Sequence, residues 1–207
     1  MLIEHDGRRP DVHPSAYVAP TAVVSGDVSI GEDARILFGA VLTADGGPVV
    51  VGKRCIVMEN ALLRGRANHP VRLGDHVIVG PHAHVNGAEI GEDAFLATGV
   101  AIFPGARVGA RAEIRIHGVV QVNTNVADDG LVPIGWVAVG DPAQVFPPES
   151  HDELWAVQEG LDFPGTVFGV ARPAEGSLQA LHPEITARYA ELFGRHRNDR
   201  VLDGPAA

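Results

Sequence analysis

The chain is poor in what builds a bulky, irregular core. Only 5% of its 207 residues are aromatic. With so few rings, Val, Ile, Leu and Ala must fill the interior, which suits repeated thin layers. Cysteine occurs once, as Cys55, so no disulfide can form within the chain. Positive charge is scarce: 16 Lys and Arg stand against 26 Asp and Glu, a formal net charge of -10. That argues against nucleic acid, which requires a clustered basic surface. The acidic excess is an ordinary solubility feature and implies no partner. No apolar run approaches membrane-spanning length, and the opening "MLIEHDGRRP" has no apolar stretch of the secretory kind. The expectation is a cytoplasmic protein that meets neither membrane nor nucleic acid. Against these absences stand 25 glycines and a hydrophobic share of 45%, enough for one good core and a small appendage.

A six-residue period organises most of the sequence. From Val12 the blocks read "VHPSAY", "VAPTAV", "VSGDVS", "IGEDAR", "ILFGAV", "LTADGG". After a short insertion follow "VGKRCI", "VMENAL" and "LRGRAN". After a second come "LGDHVI", "VGPHAH", the five-residue "VNGAE", "IGEDAF", "LATGVA", "IFPGAR" and "VGARAE". Each block opens with Val, Ile or Leu; the second place is often Gly and the fifth mostly Ala or Val. Neither a helix nor a flat strand repeats at six. A short strand followed by a corner does, and three such sides close one triangular coil. The leading aliphatic then points inward onto its equivalents above and below, and the small fifth residue fits inside the corner. The second-place glycines are expected to supply the unusual dihedrals of the corners. Stacked coils pair their backbones along the axis, so buried amides and carbonyls find partners.

This pattern resembles the hexapeptide-repeat family, whose fold is a left-handed parallel β-helix, over roughly Val12 to Val145. The resemblance, not the period, supplies the handedness. The fold class implied is an all-β solenoid with C-terminal α-helices, assembled as a homotrimer. Residues 1–11 read as a lead-in, 12–146 as the β-helix and 147–207 as a helical extension. The segment Gly140-Asp141-Pro142-Ala143-Gln144 makes a tight exit from the last coil. "PPESHDELWAVQEGLDF" then starts a helix with Ser150 and Glu153 as a capping box and Leu154, Val157 and Leu161 on one stripe. A Gly/Pro-rich linker from Phe163 to Ser177 precedes a second helix carrying Ile185, Tyr189, Leu192 and Phe193. Both helices are expected to pad the coil and seal a subunit contact.

Within that family the chain looks most like the gamma-class carbonic anhydrases. The likeness lies in "AVLTADGGPVVVG" (Ala40 to Gly52) and "IVMENALLRGRANHPVRLGDHVIVGPHAHVNGAEIG" (Ile56 to Gly91). In those enzymes three histidines from two subunits hold a metal, usually zinc. Carried over by register, the three positions are Arg64, Pro81 and Asn86. The family's arginine falls on Thr43, its aspartate is kept as Asp45, and its Gln-Asp pair becomes Met58-Glu59. A guanidinium has no lone pair to donate and proline has no side-chain ligand. The resemblance therefore implies a lost metal site, with no metal and no other cofactor expected. His82 and His84 are two residues apart, which on a straight strand would aim both rings one way. In the six-residue frame His82 sits in a corner and His84 on the next strand, facing out, so they need not converge. A relocated site using His69, His82 or His84 is a lesser alternative.

Three functions remain open. The first is a carbonic-anhydrase-like trimer with a remodelled, metal-free pocket between subunits. There Arg64, Asn86, Asp45, Thr43 and Asn60 would hold a small anion, and Glu59 with His69, His82 or His84 would supply acid–base chemistry. In the opposing reading Arg64 only pairs with Glu59 or Asp45 and glues the trimer. The second is a hexapeptide acyltransferase that uses coenzyme A and a cleft histidine. The third is a non-catalytic trimeric scaffold. Hydration of CO2 is the least expected specific activity.

Overall fold

The computed structural model describes residues 1–171 and 178–202. It is a parallel, left-handed β-solenoid of about eight turns followed by helices. Three sheets form the three faces. The second face begins at Asp11–Val12 and the third at Tyr17–Val18, each with seven strands. The first face has ten, because both its edges receive a strand from beyond the repeat.

The inward row is the one the period names. Ile36, Leu42, Val57, Leu63, Val79, Val85, Leu96 and Ile102 are each 0–1% exposed. Burying each such side chain stabilises the fold by about 1.5–3 kcal/mol relative to exposure. The fifth places are as deeply buried: Ala34, Ala40, Cys55, Ala61, Val77, Ala83 and Ala94. Burial pushes the Cys55 thiol up to about 11, and its Sγ donates to the Gly74 carbonyl at 3.0 Å.

The glycines and the corners separate into two roles, which corrects the expectation for the second place. Gly31, Gly52, Gly74, Gly80, Gly91 and Gly109 do not have positive φ. They are needed because the coils approach too closely for a side chain: a Cβ on Gly52 would lie 2.4 Å from the Gly74 oxygen. Left-handed backbone occurs at the fourth place, as in Gly39 (φ 73), Asn60 (φ 58) and His82 (φ 57). Asn and Gly tolerate that region best.

The extension runs the length of the first face. Val137–Val139 turns back antiparallel into Gln144–Phe146, which makes the exit a hairpin closing one edge. Helix α1 (His151–Gln158) follows, with Val157 against Gly140. The capping box does not form. Ser150 is the N-cap residue, but at φ -83 and ψ 49 it is not extended, and its side chain caps nothing. Part of the expected linker is helical: α2 spans Phe163–Phe168, capped by Asp162 accepting from the Gly165 amide. Residues 172–177 of that linker lie outside the described residues. Helix α3 (His182–Gly194) then leads to a final strand, Arg200–Leu202. This strand pairs antiparallel with Leu2–Glu4, the first rung of the face. Each end of the parallel stack on this face is thereby capped by a short antiparallel strand, and short edge strands limit the pairing that invites aggregation. Rings line the route, each contacting the next: Phe103, Phe163, Phe168, Tyr189, Phe193, His196 and His5. Among the described residues no helix is long and apolar enough to cross a membrane.

Candidate functional site

Parallel pairing on the first face stacks Thr43, Arg64 and Asn86 in successive rungs. Asp45 follows Thr43 at the end of its strand and is 6% exposed. It is the hub of the face. The Thr43 hydroxyl donates to Asp45 Oδ1 at 2.5 Å. Arg64 Nε lies 3.0 Å from Asp45 Oδ2, an ion pair whose N–H is not aligned on the oxygen. Arg64 also lies under the ring of Phe193, 5.3 Å from its centroid. His196 Nε2 reaches Asp45 Oδ1 at 3.3 Å.

The turn after the Arg64 strand carries two more of the polar groups. Arg66 and His69 close it through paired backbone hydrogen bonds. Arg66 Nη2 donates to the Val167 carbonyl of α2. Burial, and after it the charge of Arg66, lowers the pKa of His69 and favours the neutral ring. A cleft of about 240 Å³ lies between this turn and the extension, with Arg64, Arg66, His69 and Asp45 on its polar wall and Phe168 and Phe193 opposite.

Not every residue selected from the sequence reaches this cleft. Thr43, Asp45, Arg64 and His69 gather around it or its neighbour. Glu59, Asn60 and His82 lie on the corner that leads into the face, where the His82 amide donates to the Glu59 carbonyl at 3.0 Å. His84 and Asn86 lie on the rung after Arg64, half-buried and buried. His84 Nε2 and Asn86 Oδ1 are buried without a hydrogen-bond partner among the described residues. Burial, then Arg64, lowers the pKa of His84.

Arg66, His5, His196 and Asp199 escaped the sequence reading. His5 is 3% exposed and its ring stacks on His196 with centroids 4.4 Å apart. Asp199 holds both: His5 Nδ1 lies 2.5 Å from Asp199 Oδ1 and His196 Nδ1 lies 2.8 Å from Asp199 Oδ2. Burial opposes the charge on Asp199, but hydrogen bonds from His196 and His5 outweigh it and keep this carboxyl below its usual range. The only local signal was the i, i+3 spacing of His196 and Asp199.

No protein-family profile matches the chain. Individual proteins do. The mitochondrial gamma carbonic anhydrase 1 of Arabidopsis thaliana is 31% identical over 153 residues, 71% of this chain and 54% of that protein. A carbonic anhydrase of Geobacillus kaustophilus is 31% identical over 109 residues, 53% of this chain and 60% of its own. The carnitine operon protein CaiE of Escherichia coli is 28% identical over 149 residues, 72% and 73% of the two chains. The chain thus spans little more than half the length of the two carbonic anhydrases. Among solved structures, a mutant perosamine N-acetyltransferase of Caulobacter crescentus, in complex with coenzyme A and GDP-perosamine, superposes with a TM-score of 0.50. It is 28% identical and covers 63% of this chain and 56% of that one.

Proposed function

Because the chain belongs to the hexapeptide-repeat, left-handed β-helix superfamily and stands near its gamma-class carbonic anhydrases, we propose that it is a carbonic-anhydrase-like protein with an anion-binding cleft in place of the histidine metal site. The residues at the family's ligand positions do not suit zinc. Arg64 brings a cation already committed to Asp45, and Pro81 offers no ligand atom.

One observation carries the reading: two guanidiniums, Arg64 and Arg66, line a cleft whose only carboxylate among the described residues is Asp45. The uncompensated charge suits a small carboxylate, bicarbonate or phosphate, which arginine grips through charge-assisted hydrogen bonds. His69, kept neutral on the same wall, is the group we assign as proton acceptor if the bound molecule is transformed. Glu59, Asn60 and His82 would join this chemistry only across a subunit boundary, whereas His84 and Asn86 stand on the rung beside Arg64 in the same chain. A homotrimer is the assembly we infer, operating in the cytoplasm with its lone Cys55 as a buried free thiol.

The test is calorimetric titration of the metal-stripped protein with bicarbonate, acetate and phosphate, beside a CO2 hydration assay. At least one anion should bind, Arg66→Gln should weaken it about tenfold or more, as loss of a charge-assisted hydrogen bond implies, and hydration should stay at the uncatalysed rate. Failure of all three anions to bind would sink the reading. A second reading, acyl transfer from coenzyme A, is supported by the likeness to the N-acetyltransferase structure. Binding of acetyl-coenzyme A that survives Arg66→Gln would favour it instead.

A further inference from the structure

We propose that His5, Asp45 and His196 form a transition-metal site, with Asp199 as its positioning residue. It is separate from the three positions at which the resemblance places histidines, and it uses ligands from three distant parts of the chain. One His follows the first rung of the first face, the carboxylate ends a strand inside the coil, and the other His lies just beyond α3. One donor atom from each lies within 4.8 Å of the other two.

The geometry points to an ion rather than to three isolated groups. Asp199 accepts from both Nδ1 atoms, His5 at 2.5 Å and His196 at 2.8 Å. With Nδ1–H so engaged, each ring keeps its Nε2 lone pair for a metal, the arrangement by which carboxylates orient ligating imidazoles. His196 Nε2 then meets Asp45 Oδ1 at 3.3 Å. With Nε2 unprotonated, two acceptors at that distance repel unless something positive, a proton or a metal ion, lies between them. Zinc with bonds of about 2.0–2.1 Å sets tetrahedral ligands roughly 3.4 Å apart, which is this spacing. The Thr43 hydroxyl already donates to Asp45 Oδ1, so that oxygen's remaining lone pair is the one offered. Arg64 engages the other oxygen of the same carboxylate.

The surrounding charge accommodates a divalent ion. Asp45 and Asp199 are joined by Asp6, whose Oδ2 is 3.6 Å from His5 Nε2. Against these three carboxylates stand Arg64 and Arg195, the latter on Asp6 at 2.6 Å. Burial of His5 and Asp45 excludes water from two of the three ligands. Asp45 and His196 also line a cavity of about 350 Å³, room for a further ligand on the metal. Two imidazoles and a carboxylate suit zinc and its borderline neighbours. A bound ion would pin the tail to the first coil.

The experiment uses the full chain, stripped with chelator and titrated with Zn²⁺ and with Co²⁺, followed by elemental analysis after desalting. One equivalent per chain is expected, with the intense visible absorption of low-coordinate cobalt. Asp45→Asn and His196→Gln should each lower affinity at least tenfold, and Asp199→Asn about tenfold to a hundredfold. His196 is partly exposed, so His196→Gln is the variant of choice, with circular dichroism to confirm its fold. His151→Gln, on an exposed residue at the start of α1, should leave affinity unchanged. Lack of retained metal in the wild type, or equal affinity in wild type and His196→Gln, would overturn the proposal. Because the anion titration is made on stripped protein and this one reads metal alone, the two can fail independently.

Discussion

His84 takes a ring nitrogen into a place where no described group meets it, and that fixes how its protonation acts on stability. Burial, and then Arg64, lowers its pKa from the ordinary 6.5. The unfolded chain therefore takes up the proton first as pH falls. The associated stability is intact above pH 6.5 and declines below it, until the folded protein also becomes protonated. Substituting His84→Gln should make the fall in urea midpoint between about pH 7 and about pH 5.5 shallower than in the wild type. An equal or steeper fall would show that the ring is solvated when folded. At this scale the sequence was legible where a residue answers to its own repeat place. The inward aliphatics and small fifth residues could be read directly. The Gly52 class was recognised but given the wrong cause, because close approach depends on the neighbouring coil rather than on the residue's own dihedral. Arg64, Asp45 and Asn86 were found because they stand in register within the repeat. His5 and His196 lie outside any period, and only the folded chain brings them to Asp45.

The C-terminal extension decides whether the first face is a surface or an interior. Its apolar positions were legible at helical spacing; its destination was not, since nothing in a local pattern says which face a helix will cover. Tyr189 and Phe193 join Phe168 on one side, and Phe193 covers Arg64 on the other. The final strand then fastens the tail to the first rung through three residue pairs. Removing the Phe193 ring takes away both the cation contact and the step that links α3 to His196. Phe193→Ala should therefore loosen the tail without unfolding the coil. By amide hydrogen exchange, protection should drop in residues 182–202 and stay unchanged in the inner strands of the solenoid. A loss spread evenly over the whole chain would mean that tail and coil fold as one unit.

The three outward faces differ in chemistry, and that difference bears on the homotrimer proposed above. On the second face the outward row runs Asp11, Ser29, Val50, Arg72, Glu89, Arg107 and Asn125, mostly polar and content in water. The first face is occupied by the chain's own tail. The third presents Tyr17, Arg35, Ile56, Ile78, Phe95, Glu113 and Leu131 in register. Tyr17, Phe95 and Leu131 are 42%, 39% and 52% exposed, and Phe38, Ile116 and Ile134 continue the apolar surface around the adjoining corner. Apolar side chains gathered on one face of a rigid rod, interrupted by Arg35 and Glu113, favour burial against another molecule. In the homotrimer proposed above, a second and third copy related by cyclic symmetry would bury it without leaving an open end. Sedimentation should therefore give about three times the 21.8 kDa chain mass. Placing a charge in the strip with Phe95→Glu should shift the species toward a single chain while the far-ultraviolet spectrum stays that of the solenoid, because the outward side chain takes no part in the core. A wild-type protein that sediments as one chain at micromolar concentration would remove the subunit boundary and, with it, any role for Glu59, Asn60 and His82 in the cleft.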